Sequence, residues 1–199
     1  LCAAGRIAHV KELEIANAGL ELNEYGLISV DENLRTAVPS IYAAGDVIGP
    51  PSLASASMEQ GRRAACNAMG VASGVMHNII PVGIYSIPEL SSIGISETKA
   101  REMHGDVLVG VAKFDEIARG QISGTQDGML KIVSDPNGEK ILGVMIVGEG
   151  ATELIHIGQM ALLANADIDI FVESIFNFPT LAEAYRAAAL EIVHQRKKL

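Results

Sequence analysis

The spacing of hydrophobic positions changes along the chain and divides the sequence into two parts. Up to about Gly74, short apolar segments alternate with turn residues, and residues 27–30 and 40–44 are predicted to be short strands. A helix rich in small residues is predicted over residues 53–69, and glycines follow it as they commonly follow a helix end. We therefore expect a domain boundary near residues 74–81.

Strand patterns dominate after that boundary, and helical periodicity comes later. The predicted strands are residues 84–87, 90–95, 107–114, 128–133 and 141–147. The last two form the clearest hairpin because Pro136 presets one turn dihedral and Asn137-Gly138 tolerates positive ones. Ser96 is predicted to cap a helix that ends near His104.

Two amphipathic helices are predicted near the end, one around residues 154–162 and one over residues 180–194. Strands followed by helices, without alternation of strand and helix, indicate an α+β domain built on an antiparallel sheet.

Composition narrows the classes of protein that fit this pattern. Apolar residues make up 49% of the 199 and charged residues 20%, which is typical of a globular chain with a sizeable core. A net charge of -9 argues against a nucleic-acid partner. No apolar run approaches the roughly 20 residues of a membrane span, and no signal-peptide pattern is present, so we expect a soluble, cytoplasmic protein without a membrane partner.

Cysteine and histidine suggest no metal site. Cys2 and Cys66 stand without a CxxC pattern or a His-rich neighbour, and we interpret both as inert buried thiols. His156 lies on the apolar side of its predicted helix, where a hydrogen-bonded core histidine is expected.

The Gly45-Asp46 pair carries candidate binding chemistry. It follows a predicted strand and precedes a helix, which suits a ligand rich in hydroxyls and phosphates, although such a pair taken alone is more often an ordinary turn. Residues 52–55 would then present amides at a helix N-terminus to an electron-rich group. The alternative is an ordinary N-cap by Ser52 or Ser55.

The stretch Thr36-Ala-Val-Pro-Ser-Ile-Tyr-Ala-Ala-Gly-Asp46-Val resembles the second flavin-contacting motif of the pyridine nucleotide-disulfide oxidoreductase family, whose members carry two dinucleotide-binding domains. Further segments resemble the family in its order along the whole chain: Ala3-Ala4-Gly5-Arg6, Ser52-Leu53-Ala54-Ser55, Gly83-Ile-Tyr-Ser-Ile-Pro-Glu89, Ile141-Leu-Gly-Val and Phe178-Pro179-Thr180-Leu-Ala-Glu183.

The resemblance implies three domains and a set of binding residues. Residues 1–20 would end an NAD(P)-binding domain, residues 21–78 would close an FAD-binding domain, and residues 79–199 would form an interface domain that makes a homodimer. By the same resemblance, FAD, NAD and NADP are the cofactors. The implied contacts are Gly45 and Asp46 to the flavin ribityl or pyrophosphate region, Ser52, Leu53, Ala54 and Ser55 beside the isoalloxazine, and Gly5 to the nicotinamide nucleotide.

Phe178 separates activities within the family. In its disulfide reductases a histidine stands before this proline and manages protons together with a glutamate five residues later. A phenylalanine has no titratable proton, so no catalytic residue is assigned here. The resemblance therefore implies hydride transfer between NADPH and NAD through FAD. The alternatives are a dihydrolipoamide dehydrogenase or related disulfide reductase that lacks this base, and an inactive stand-alone dimerisation module.

The neighbours of Phe178 have structural interpretations. Thr180-Leu-Ala-Glu183 matches a capping box, in which each end of the motif satisfies an amide of the other, and we favour this role over a catalytic one for Glu183. Tyr185 and Arg186 are expected at an interface or on the helix surface.

The phosphate-binding loops of both dinucleotides are missing from the sequence. No GxGxxG occurs, and the chain has no initial Met. We therefore expect a C-terminal part of a longer enzyme, inactive by itself.

Overall fold

The computed structural model describes residues 3–5 and 7–196 and consists of two compact units, Leu1–Met76 and His77–Leu199. Cys2 and Arg6, which entered the sequence predictions, lie outside the described residues. The assignment of residues 1–20, 21–78 and 79–199 to three domains stays a prediction.

The first unit contains little regular structure. Its elements are the 3₁₀ turns Lys11–Leu13, Ile15–Ala18 and Gly45–Ile48 and helix α1 (Ala54–Ala68). The strands predicted at residues 27–30 and 40–44 were wrong. Ile28 and Tyr42 each make one isolated bridge, to Leu22 and Arg35, across tight turns at residues 23–26 and 38–41.

Helix α1 agrees with its prediction to within a residue at each end. Its buried positions are Ala56, Gln60, Arg63 and Ala64, which share one face at helical spacing. The Arg63 guanidinium donates to the carbonyl oxygens of Ser73 and Gly74, so this buried charge is hydrogen-bonded.

Cys66 is half-buried on α1, with the Arg62 guanidinium 3.8 Å from its Sγ. The interpretation of Cys66 as a buried thiol was therefore only partly right, because the residue lies at the margin of the buried face.

The second unit confirms the α+β prediction. Its elements are β1 (Val82–Ile84), β2 (Leu90–Gly94), α2 (Glu97–His104), β3 (Leu108–Lys113), α3 (Ala118–Ser123), β4 (Met129–Ser134), β5 (Ile141–Val147), α4 (Ala151–Leu163), α5 (Asp169–Glu173) and α6 (Glu183–Arg196). The five strands form one antiparallel sheet in the order β1-β2-β5-β4-β3.

The core of the second unit lies between this sheet and helices α4 and α6. Ile132 and Val144 point from the central strands into it and are fully buried. Successive side chains of a strand alternate between faces, so Val133 and Met145 lie on the opposite face, where Ala100 of α2 packs against them.

The local signals in this unit were mostly correct. The predicted hairpin is β4 and β5, and Oδ1 of Asp135 accepts the backbone N–H groups of Glu139 and Lys140 in its turn. Ser96 caps α2 by accepting from the Lys99 N–H at 3.2 Å.

Most boundaries differ from prediction by one to three residues, and the strand predicted at residues 84–87 was largely wrong. The observed strand β1 shares only Ile84 with it, because the chain turns at Ser86, whose hydroxyl donates to the Pro88 carbonyl. Helix α6 begins at Glu183 rather than Thr180.

No helix among the described residues is long and apolar enough to cross a membrane.

Candidate functional site

The Gly45-Asp46 pair opens a 3₁₀ turn whose backbone demands a glycine. Gly45 is buried with φ +81°, in the left-handed region that side chains rarely adopt. A Cβ at this position would lie 3.1 Å from Oγ of Ser57 on α1. The turn therefore approaches the helix closely only because residue 45 has no side chain.

Gln60 of α1 completes the attachment of this turn. Its Oε1 accepts the N–H of Gly45 at 2.8 Å. Asp46 follows directly and is exposed, at the first turn of the 3₁₀ segment. The arrangement presents a carboxylate at the surface from a backbone that α1 holds in place.

The N-terminus of α1 carries no side-chain cap. Its N-cap residue is Leu53, which is extended and has no side-chain oxygen. The alternative of an ordinary N-cap by Ser52 or Ser55 was therefore wrong: Ser52 precedes the cap position, and Ser55 lies inside the first turn. Ser52, Ala54 and Ser55 are exposed. The first amides of a helix have no acceptor within it and lie at the positive end of its dipole.

Gly5 is also exposed, and no heavy atom lies within 4 Å of the place where a Cβ would stand. The structure brings Gly45, Asp46 and the start of α1 together through Ser57 and Gln60. It gives Gly5 open space for close approach of a ligand.

These features fit the phosphate and hydroxyl groups of a dinucleotide. Open amides at a helix N-terminus favour an anion, an exposed carboxylate accepts bonds from hydroxyls, and a glycine allows the ligand near the backbone. The predicted contacts of Gly5, Gly45, Asp46 and residues 52–55 with nucleotides stay predictions.

The segment before α6 places Phe178 in solvent. Phe178 is 74% exposed and Ile175 is 95% exposed.

The predicted capping box is only half formed: Glu183 Oε2 accepts the Thr180 N–H at 3.2 Å, but the Thr180 hydroxyl donates to the Asn177 carbonyl instead. The reason is that α6 begins at Glu183, so Thr180 is not its N-cap.

Tyr185 was expected at an interface or on the surface, and this was wrong. It is fully buried, its ring lies 4.9 Å from that of Phe171, and burial raises the pKa of its hydroxyl. The hydroxyl donates to the Leu154 carbonyl at 2.8 Å and accepts the Gly158 N–H at 3.1 Å. The hydroxyl thus joins α6 to two backbone groups of α4. Arg186 is exposed, as expected for a helix-surface residue.

His156 was expected in the core and is exposed instead. Its Nδ1 lies 2.8 Å from Oε1 of Gln159, one turn along the solvent side of α4. The apolar spacing of α4 places Ile155 rather than His156 against the sheet.

Sequence reasoning missed Gln60. A signal existed, since Gln60 follows Ala56 by four residues and precedes Ala64 by four, which places a polar side chain on the small-residue face of α1.

Family comparisons agree with this architecture. Residues 80–189 match the family described as pyridine nucleotide-disulphide oxidoreductase, dimerisation domain, and residues 1–61 match the family described as pyridine nucleotide-disulphide oxidoreductase. The chain belongs to this family of oxidoreductases, as the sequence motifs predicted.

Individual relatives narrow the similarity. The chain is 44% identical over 197 residues to a soluble pyridine nucleotide transhydrogenase of Mycobacterium bovis, covering 99% of this chain and 42% of the relative. It is 47% identical over 194 residues to the protein of the same name in Serratia proteamaculans, covering 96% and 42%. The chain thus spans less than half the length of these curated relatives.

A solved structure shares the fold. The HOCl-induced flavoprotein disulfide reductase RclA from Escherichia coli superposes with a TM-score of 0.87 at 27% identity, covering 94% of this chain and 44% of that one.

Proposed function

We propose that this chain is part of a longer FAD-dependent oxidoreductase that transfers hydride between NADPH and NAD in the cytoplasm. The identity of 44–47% to relatives named soluble pyridine nucleotide transhydrogenase supports the proposal. Flavin and nicotinamide binding need the remainder of such an enzyme, so the activity belongs to the whole protein.

Phe178 is the observation that carries the choice of reaction. A disulfide reductase needs a general acid to protonate the leaving thiolate, and an exposed phenyl ring has no proton to give. Glu183 holds the Thr180 N–H at the start of α6, so its carboxylate already has a structural partner. These residues favour a reaction in which no side chain at this position moves a proton.

The binding roles follow from the first unit. Residues 52–55 at the start of α1 would lie by the isoalloxazine ring and present their amides to an electron-rich group of it, and the Asp46 carboxylate would accept hydrogen bonds from hydroxyls of the ribityl chain. When bound, FAD supplies the hydride chemistry itself, and the protein contributes position and electrostatics. Gly5 would contact NAD or NADP.

The second unit would supply the partner contact. Residues 80–189 match a dimerisation domain, and the apolar side chains of Ile175 and Phe178 stand in solvent before α6. We expect the isolated chain to form a homodimer through its C-terminal helices and to be colourless. Sedimentation with absorbance detection checks both the dimer and the absence of flavin. A monodisperse monomer at micromolar concentration would contradict the proposed dimer interface. Stoichiometric bound FAD would contradict the proposal that flavin binding needs the remaining domains.

The activity is tested on the purified full-length enzyme that contains these residues. We expect reduction of NAD analogues by NADPH and negligible reduction of lipoamide or glutathione disulfide. Disulfide reduction at a comparable rate would favour the alternative of a disulfide reductase that works without this base. Absence of both activities with FAD bound would remove the oxidoreductase assignment.

Two variants sharpen the test. Phe178→His adds a titratable group at the position, yet it should not create disulfide reduction, because the proposed transhydrogenase would have no redox dithiol for this base to deprotonate. Asp46→Ala should lower the flavin-to-protein ratio after dialysis, since a charge-assisted hydrogen bond contributes about 1.5–3 kcal/mol. An unchanged ratio would remove Asp46 from the site.

A further inference from the structure

Gln60 is a buried amide with one specific task in the structure. Only 4% of the residue is exposed, and its Oε1 accepts the Gly45 N–H at 2.8 Å. Buried polar groups need such partners, so the pair is a constraint on both elements.

The Gly45 N–H has no acceptor within its own turn. Gly45 is the first residue of the 3₁₀ segment Gly45–Ile48, and the first amides of a helical turn find no carbonyl inside it. Gly45 is also buried, which keeps solvent from replacing the acceptor. Gln60 of α1 therefore supplies the hydrogen-bond acceptor that the turn lacks.

The same helix carries both parts of the proposed flavin site. Its open N-terminus begins at Ala54, and Gln60 lies about two turns further along. Asp46 follows Gly45 directly, so the distance from its carboxylate to the amides of α1 depends on the hydrogen bond between Gln60 and Gly45.

We propose that Gln60 is a positioning residue for flavin binding: through the Gly45 N–H it holds Asp46 in register with the N-terminus of α1. This inference rests on the proposed function. It assigns Gln60 the role of acceptor, since Oε1 is the atom that meets Gly45.

If Gln60 acts as an acceptor, substitution by Met and substitution by Glu should affect flavin binding differently. Gln60→Met keeps the length and volume of the side chain but offers no comparable acceptor. Gln60→Glu keeps an oxygen at the same place and can still accept the N–H. A role in packing alone would tolerate Met better than a buried carboxylate, so the two interpretations predict opposite rankings.

The test is the dissociation constant of FAD for the full-length apoenzyme, measured by quenching of flavin fluorescence. We expect Gln60→Met to raise it about tenfold, the effect of losing one ordinary hydrogen bond, and Gln60→Glu to stay within about threefold of wild type. The visible circular dichroism of bound flavin should change with Met and be restored by Glu.

Asn67 provides the matched control. Its side-chain amide lies on the same helix and also makes one 2.8 Å hydrogen bond to the backbone, to the carbonyl of Asn33, but at the opposite end from the proposed site. Asn67→Ala should leave the FAD dissociation constant unchanged.

The outcomes separate cleanly. Wild-type affinity in Gln60→Met, equal weakening in Asn67→Ala, or loss of flavin by folded Gln60→Glu would each overturn the positioning role. Failure of both Gln60 variants to fold would assign the residue to folding and overturn it as well. A wild-type enzyme that binds no FAD would instead refute the proposed function.

Discussion

The two units of this chain use their hydrophobic residues differently. In the second unit a five-stranded sheet packs against α4 and α6, and Phe114, Leu130 and Ile155 are completely or almost completely buried between them. In the first unit the best buried apolar side chain among the described residues is Ala56, which is 4% exposed. Ile7 and Tyr25 stand largely in solvent there.

The difference shows where stability and binding chemistry lie. A five-stranded sheet with helices packed against it buries enough apolar surface to offset the entropy of ordering its chain. The first unit consists of one helix, short turns and isolated bridges, and it carries the candidate flavin contacts. Stability is thus concentrated in one region and candidate binding in the other.

The largest expected effect is a contrast in hydrogen exchange between the units of the intact chain. Amides of strands β2 to β5 and of α4 and α6 should be strongly protected, because their opening requires loss of the sheet core. Amides of the first unit should exchange much faster than these, with those of α1 the slowest among them. Mass spectrometry with peptide resolution measures this protection. Equal protection in both units would contradict the conclusion that stability is concentrated in the second unit.

Gly110→Ala should be the most damaging small substitution in the second unit. Gly110 lies on β3 under α6, and an added Cβ would overlap the carbonyl oxygen of Ala188. Separating strand and helix should lower the free energy of unfolding by about 1–3 kcal/mol or more. Urea denaturation followed by circular dichroism gives the value; a change under about 0.5 kcal/mol would mean that α6 packs less closely than it does here.

Tyr185→Phe should cost about 1 kcal/mol, because the hydroxyl joins α6 to two backbone groups of α4. Burial raises the pKa of this hydroxyl, so above about pH 10 the unfolded chain ionises first and the wild type loses stability relative to the variant. Urea titrations of both proteins from pH 8 to pH 11 should show the gap closing. A gap that stays constant would contradict the burial of the hydroxyl.

Gly61→Ala should produce the smallest effect, with the opposite sign. Gly61 lies inside α1, is exposed, and has nothing within 4 Å of an added Cβ. Alanine should therefore stabilise the helix by about 0.5–1 kcal/mol through its better propensity. Amide exchange of α1 in the intact chain detects this gain, while the unfolding midpoint of the second unit serves as the internal control. Faster exchange in the variant would contradict the open space around Gly61 and show that another group contacts α1 there.

Secondary structure was predicted better from the sequence in the second unit than in the first. Strand alternation, the Asp135 turn and the Ser96 cap were each sufficient to place elements of the second unit, because these signals act over a few residues. In the first unit, residues 27–30 and 40–44 have strand-like composition but form no strands. A strand needs a partner at the right register, and composition does not supply one.

Some residues of the candidate site were predicted from the sequence and one was not. Asp46, Gly45 and the start of α1 were predicted from their sequence motif, which encodes a local turn and helix start. Gln60 was missed because it acts across fifteen positions, on a backbone group that only the packing of α1 against the turn brings near.

By itself, the sequence determined the α+β class, the family, and most helix and strand positions of the second unit, since periodicity and turn chemistry are local properties of the chain. Only the tertiary structure decided that Tyr185 is buried and hydrogen-bonded to α4, that His156 faces solvent, and that the Thr180 hydroxyl bonds to Asn177 instead of to α6. Each of these depends on which face of a helix meets another element, and that choice is made by packing between residues far apart in sequence.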